Sequence, residues 1–187
     1  IRKPNTIVKF VAPTKTQLNS YSADLMRTLL EDCPEEFKPT YRTKDYVFVF
    51  PNGSEIHLAG SDNKHAEKLR GSSAHLCVVD EAGTVDQLDY VVKSILLPTV
   101  LTTRGKIILA STPPLEEDHD FLKFIESAEG KGTLVKKTIW DNPRLTKQDI
   151  EDMIKETGGM TSSATRRELF CEIVRDDKST VIPEFTA

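Results

Sequence analysis

Asp80 and Glu81 are adjacent carboxylates at the end of the apolar run Leu76-Cys77-Val78-Val79, an order of residue types that suits the handling of a phosphate-bound metal and a water molecule. A strand covered on both faces reads as a continuous apolar run, and open α/β sheets bind ligands just beyond the carboxyl ends of their strands. At such a crevice two acids divide the work of nucleotide hydrolysis: Asp80 holds Mg²⁺, directly or through water, and Glu81 polarises the attacking water. The plainer reading is a strand that runs into a polar loop. A second run, Lys106 to Ala110, ends in Ser111-Thr112-Pro113-Pro114, so two hydroxyls stand at one strand end as two acids stand at the other. A hydroxyl there can bind a γ-phosphate or the lytic water. It can equally cap a helix, and Pro114 with Glu116-Glu117-Asp118 suits a helical first turn, where the macrodipole favours negative charge.

These residues need strands and helices to position them, and the pattern supplies both. Ile7 to Ala12 is rich in strand formers and stops at Pro13, after which Thr14 or Thr16 opens a helix to about Asp32 with Leu18, Tyr21, Leu25 and Leu29 on one face. Tyr46 to Phe50 and Glu55 to Ala59 flank Pro51-Asn52-Gly53-Ser54, a hairpin signal because Asn-Gly accepts positive φ angles. Leu88, Val91, Val92, Ile95 and Leu96 mark a helix that Pro98 should bend or end. Strand character returns from Thr133 to Trp140. Thr146 with Asp149 resembles a capping box for a helix whose Ile150, Met153 and Ile154 face inward and which Gly158-Gly159 stops. A last helix is expected over Ser162 to Ile173.

Composition narrows the class. With 187 residues, 38% hydrophobic and 29% charged, the chain reads as globular with one core. A net charge of -4 gives no overall basic signature, so nucleic-acid contact must come from a local patch. Cys33, Cys77 and Cys171 lack CxxC spacing, and Cys77 lies in the expected buried strand, which suggests reduced thiols in an intracellular protein. His57, His65, His75 and His119 show no zinc-ligand spacing, and no apolar run approaches a membrane span. The start at Ile1 suggests a processed or excised piece.

Taken in order, Leu69-Arg70-Gly71, Val78-Val79-Asp80-Glu81-Ala82, Ala110-Ser111-Thr112-Pro113, Asp141-Asn142-Pro143 and Arg166-Arg167-Glu168-Leu169 resemble the large terminase subunit of tailed bacteriophages over nearly the whole chain. The resemblance implies an α/β P-loop NTPase fold of the additional-strand, RecA-like type, with a mainly parallel sheet flanked by helices. It implies an ATPase that packages double-stranded viral DNA into a procapsid in the host cytoplasm, working as a homo-oligomeric ring on the portal protein with the small terminase subunit. Residue by residue, Asp80 matches the magnesium acid, Glu81 the catalytic glutamate, and Ser111 and Thr112 the motif coupling hydrolysis to movement. Arg70 sits where some terminases use an arginine finger, which is worth roughly 10³ to 10⁵ in rate. Arg70 also reads as a solvated loop cation or a DNA-phosphate contact. An ATPase core over 1–140 and a helical linker subdomain over 141–187 are the implied organisation.

The sequence departs from the family at one point: it contains no G-x-x-x-x-G-K-[ST], and Gly130-Lys131-Gly132-Thr133 reads as an ordinary helix-to-strand turn. The expectation is therefore a fragment incomplete at its amino-terminal side, inactive alone, which has a slot in its sheet where a central strand is missing and exposes apolar surface, or relies on another chain to fill it. Glu168 beside Arg166 and Arg167 reads as a surface ion-pair residue. Lys64, Lys68 and Arg70, with Lys3, Lys9, Lys136 and Lys137, are the candidate DNA cations. Two other readings fit the acid and hydroxyl motifs: a helicase-like translocase, or a degenerate non-hydrolysing assembly module.

Overall fold

Strand β1 (Ile7–Ala12) lies inside a six-stranded sheet, and its β-branched and aromatic residues explain both its conformation and its place there. The computed structural model describes residues 3–14, 24–61 and 66–175, in two compact units divided between Ser111 and Thr112. In the first unit β2 (Thr40–Arg42), β3 (Val47–Val49), β4 (Glu55–Gly60), β5 (Leu76–Val79) and β6 (Lys106–Leu109) complete the sheet in the order β2-β3-β4-β1-β5-β6. β4, β1, β5 and β6 run parallel, while β3 is antiparallel to both β2 and β4.

The expected slot is not seen. β1 is hydrogen-bonded to β4 on one side and β5 on the other, so the sheet is continuous and its free edges are β2 and β6. β6 is the barer one beside the strand ends of interest, with Ile108 49% exposed. The hairpin forms where Asn-Gly predicted it, but only Gly53 takes a positive φ (78°). Asn52 serves the turn with its side chain instead, accepting from the Ser54 amide at 3.0 Å. β2 was not expected; Tyr41 stacks on Phe48 across it, ring centroids 4.4 Å apart.

The helical turn Leu88–Tyr90, the π-helical stretch Val91–Leu96 and the turn Leu97–Leu101 run on as one helix, α2. Pro98 therefore neither ends nor breaks it. The ring has no N–H and crowds the preceding turn, and the widened π stretch just before it accommodates both defects. Leu88, Val91, Ile95 and Leu96 are buried as the periodicity predicted, together with Val11, Cys77 and Val79. Helix α1 (Asp24–Leu29) corrects another expectation. Leu25 and Leu29 are exposed, and Met26 and Leu30 pack instead on the Ala12, Phe48 and Leu58 cluster. Leu18 and Tyr21 lie outside the described residues.

In the second unit α3 (Asp120–Gly130) starts later than the acidic run suggested, with His119 as its cap: the ring Nδ1 accepts from the Phe121 amide at 3.1 Å. Residues 133–138 form no strand, since no neighbouring strand pairs with them among the described residues, and Leu134 and Val135 stay exposed. Helix α4 (Lys147–Glu156) has the expected capping box, Thr146 Oγ1 accepting from the Asp149 amide at 3.2 Å while Asp149 accepts from the Thr146 amide at 2.8 Å. Ile150 and Ile154 pack with Ile139 and Phe170; Met153 is exposed. Gly158 and Gly159, both at positive φ, stop the helix. The last helix is a short π-helical stretch, Thr165–Leu169, and Arg167 pairs with Glu168 at 3.1 Å as a surface ion pair.

Candidate functional site

The parallel register brings the ends of β1, β5 and β6 level, Val11 opposite Val79 and Val79 opposite Leu109. Beyond that level the ladder continues one step: the Asp80 amide donates to the Val11 carbonyl at 2.8 Å and the Ala82 amide to the Ala110 carbonyl at 3.0 Å. Asp80 and Ala82 are thus pinned to opposite neighbouring strands. Glu81 between them is forced into the left-handed region, φ 49° and ψ 41°. Few residues other than glycine adopt it, and such strain persists only where the surroundings over-determine it. The Glu81 carbonyl is held as well, accepting from the Thr84 amide and the Thr84 hydroxyl, both at 2.9 Å.

Both carboxylates are exposed, and neither forms a hydrogen bond or ion pair among the described residues. Ser111 closes the group at the end of β6. Its Oγ is buried yet has no hydrogen-bond partner among the described residues, and an unpaired buried hydroxyl is costly unless a ligand or water meets it. Two free carboxylates and an orphaned hydroxyl form an oxygen donor set that suits Mg²⁺ and a phosphate. The structure therefore brings Asp80, Glu81 and Ser111 to the carboxyl ends of the parallel strands β5 and β6, while Thr112 opens the second unit.

Arg70 stands apart from the acids. The short 3₁₀ turn Glu67–Leu69 precedes it, and Arg70 Nε lies 2.5 Å from Glu67 Oε2. Its Nη2 donates to the Tyr90 hydroxyl at 3.0 Å, which in turn donates to Glu67 Oε1 at 2.8 Å. The guanidinium also lies over the Tyr90 ring, 5.9 Å from its centroid. The Tyr90 hydrogen bond, then that from Arg70, holds the Glu67 carboxyl below the usual carboxylate range. Arg70 makes no bond to Asp80 or Glu81 of its own chain among the described residues.

Sequence reasoning missed Glu67 and Tyr90, and it misplaced Lys9. Grouped with surface cations, Lys9 is fully buried, and its Nζ donates to the carbonyls of Leu69 and Ser72, both at 2.6 Å. Burial lowers its pKa. The signal was present: a lone cation inside the apolar run Ile7 to Ala12. Lys68, Lys3, Lys136 and Lys137 are exposed, and Lys64 lies outside the described residues. No three His, Cys, Asp or Glu form a metal cluster among the described residues, and none of their helices is long and apolar enough to cross a membrane.

Comparison with known proteins bears on this geometry. The profile of the family described as terminase large subunit, T4-like-virus type, N-terminal, matches residues 1–186. Among solved structures, the large terminase of a thermophilic bacteriophage superposes with a TM-score of 0.70 at 14% identity, over 92% of this chain and 42% of that one. Another structure of it, in complex with ADP, gives 0.69 at 14% identity, over 91% and 41%. The large terminase of bacteriophage HK97 gives 0.60 at 18% identity, over 90% of this chain and 40% of its own. The Thermus phage P74-26 terminase ATPase domain gives 0.51 at 18% identity, over 66% and 53%. The chain thus spans about two fifths of the first of these relatives. No curated protein matches the sequence.

Proposed function

This chain belongs to the terminase large subunit family of T4-like-virus type, and from that premise we propose that it is part of the ATPase of a viral DNA-packaging motor. The fold is that of the additional-strand P-loop ATPases, with the mainly parallel sheet of terminase ATPase domains. One observation carries the functional reading: Asp80, Glu81 and Ser111 converge where the parallel strands end, and their side chains have no hydrogen-bond or ion-pair partner among the described residues.

In this reading ATP is the substrate and Asp80 holds Mg²⁺ against its phosphates. Bound there, the metal would supply neutralisation of phosphate charge. Glu81 orients a water for in-line attack, and its strained but pinned backbone keeps the carboxylate at a fixed height above the sheet. The Ser111 hydroxyl donates to the γ-phosphate or the lytic water. Thr112, the first residue of the second unit, passes the loss of that phosphate to the rest of the motor. Arg70 is held by Glu67 and Tyr90 rather than by Asp80 or Glu81 of its own chain, which suits delivery to a neighbouring subunit's γ-phosphate in a ring. The phosphate-cradling loop and its lysine are not among these 187 residues, so turnover belongs to a full-length protein that carries them. Double-stranded DNA, the portal protein and the small terminase subunit are the partners of that assembly, in the host cytoplasm.

The test is Asp80→Asn in the full-length protein. The variant is expected to lose ATP turnover and to need far more Mg²⁺ for nucleotide binding; an unchanged Mg²⁺ dependence with full turnover would remove Asp80 from the site.

A further inference from the structure

Lys9 presents a problem that the candidate site leaves unsolved: a cation inside an interior strand, fully buried, with no carboxylate partner among the described residues. Its neighbours across the sheet are His57 in β4 and Cys77 in β5. The Cys77 thiol is no counter-ion, because burial pushes its pKa up and keeps it protonated. A buried amine costs free energy, and an apolar side chain of similar length would fill the same space. What an apolar side chain cannot do is donate. The Nζ donates 2.6 Å bonds to the Leu69 and Ser72 carbonyls, which bracket Arg70 and Gly71.

Among the described residues the loop is otherwise fixed there only by the buried Leu69 side chain and its own 3₁₀ turn. Arg70, Gly71 and Ser73 are exposed, and Gly71 sits at φ 89°. The next anchors are Ser73 Oγ on Thr102 Oγ1 at 3.1 Å and the Ala74 amide on the Thr99 carbonyl at 2.8 Å, both beyond the bracketed pair. Glu67 and Tyr90 fix the Arg70 guanidinium, and the Arg70 amide donates to the Glu67 carbonyl at 3.1 Å, a bond local to the 3₁₀ turn that does not tie it to the sheet. We infer that Lys9 is a positioning residue for Arg70: its buried amine ties the finger loop to the sheet that carries Asp80 and Glu81, so that the guanidinium is presented at a set height. This rests on the proposed role of Arg70.

A double-mutant cycle in the full-length protein tests it, reading kcat for ATP and the dissociation constant for a non-hydrolysable ATP analogue. Arg70→Ala should lower kcat by ~10³-fold. Lys9→Met should lower it by ~10²-fold, the scale of a displaced catalytic group, with analogue binding unchanged. The two together should cost no more than Arg70→Ala alone, because Lys9 acts only through Arg70. Amide exchange at 70–73 should quicken in Lys9→Met. Where Lys9→Met does not fold, Lys9→Gln, which keeps an N–H donor on a shorter stem, replaces it; its smaller loss should also vanish without Arg70. A Lys9 effect of equal size with and without Arg70, or none at all, overturns the inference while leaving the acidic site intact. If Arg70→Ala itself leaves kcat unchanged while Glu81→Gln abolishes it, the role of Arg70 fails and the inference with it.

Discussion

Glu81 joins an exposed carboxylate to a backbone conformation that its side chain disfavours, φ 49° and ψ 41°. The strain is imposed by the amides of Asp80 and Ala82, which are tied to different strands. Left-handed backbone costs a residue with a Cβ about 1–2 kcal/mol, and glycine recovers that less about 0.5–1 kcal/mol of chain entropy. Glu81→Gly should therefore leave the melting temperature unchanged or raise it while abolishing turnover in the full-length protein; a clear loss of stability would show that the backbone is not strained. At Arg70 the prediction concerns pH. The Glu67 carboxyl titrates lower folded than unfolded, so its contribution is fully present above the ordinary value of 4.5 and is lost as pH falls through the depressed folded value. The melting difference between the native protein and Glu67→Gln should hold constant near neutrality and shrink in acid, and a difference that grows in acid would contradict the cluster.

Among the elements, those with a local signal were legible in the sequence. β1, β5 and β6 announced themselves as apolar runs, the β3–β4 hairpin by Pro-Asn-Gly-Ser, α2 by its buried stripe and α4 by Thr146 and Asp149. Because the acids and Ser111 lie at the ends of such runs, the placement of the candidate site at the strand ends was legible too. What stayed hidden depends on contacts distant in sequence. The Lys9 bond to Leu69 spans 60 residues and the Tyr90 bond to Glu67 spans 23, and neither leaves a periodic trace. β2 is three residues long, too short for alternation to show. Residues 133–138 have strand composition but no partner strand, and Pro98 is tolerated only because α2 widens before it. Gly105 gives an element-scale prediction: a Cβ there would meet the Ala74 and His75 carbonyl oxygens at 2.6 and 2.8 Å, both backbone atoms that cannot swing away. Gly105→Ala should destabilise by about 1–3 kcal/mol and push β6, with Ser111, out of register. A variant as stable as the parent would show that β6 can shift freely.

For the molecule as a whole, the division at Ser111–Thr112 puts the two hydroxyls of one motif on opposite sides of a unit boundary. In the proposed function, a residue pair so placed is what would turn the chemistry of one unit into motion of the next. The bare edge of β6, with Ile108 half exposed, lies beside the same site. The measurement that bears most directly on the account is ATP turnover and ATP retention by Glu81→Gln in the full-length protein with DNA present. If Glu81 activates the lytic water, the variant binds ATP, holds it unhydrolysed and loses DNA-stimulated turnover. Turnover equal to that of the parent would contradict the catalytic assignment and leave the strand-end acids as a binding or assembly feature.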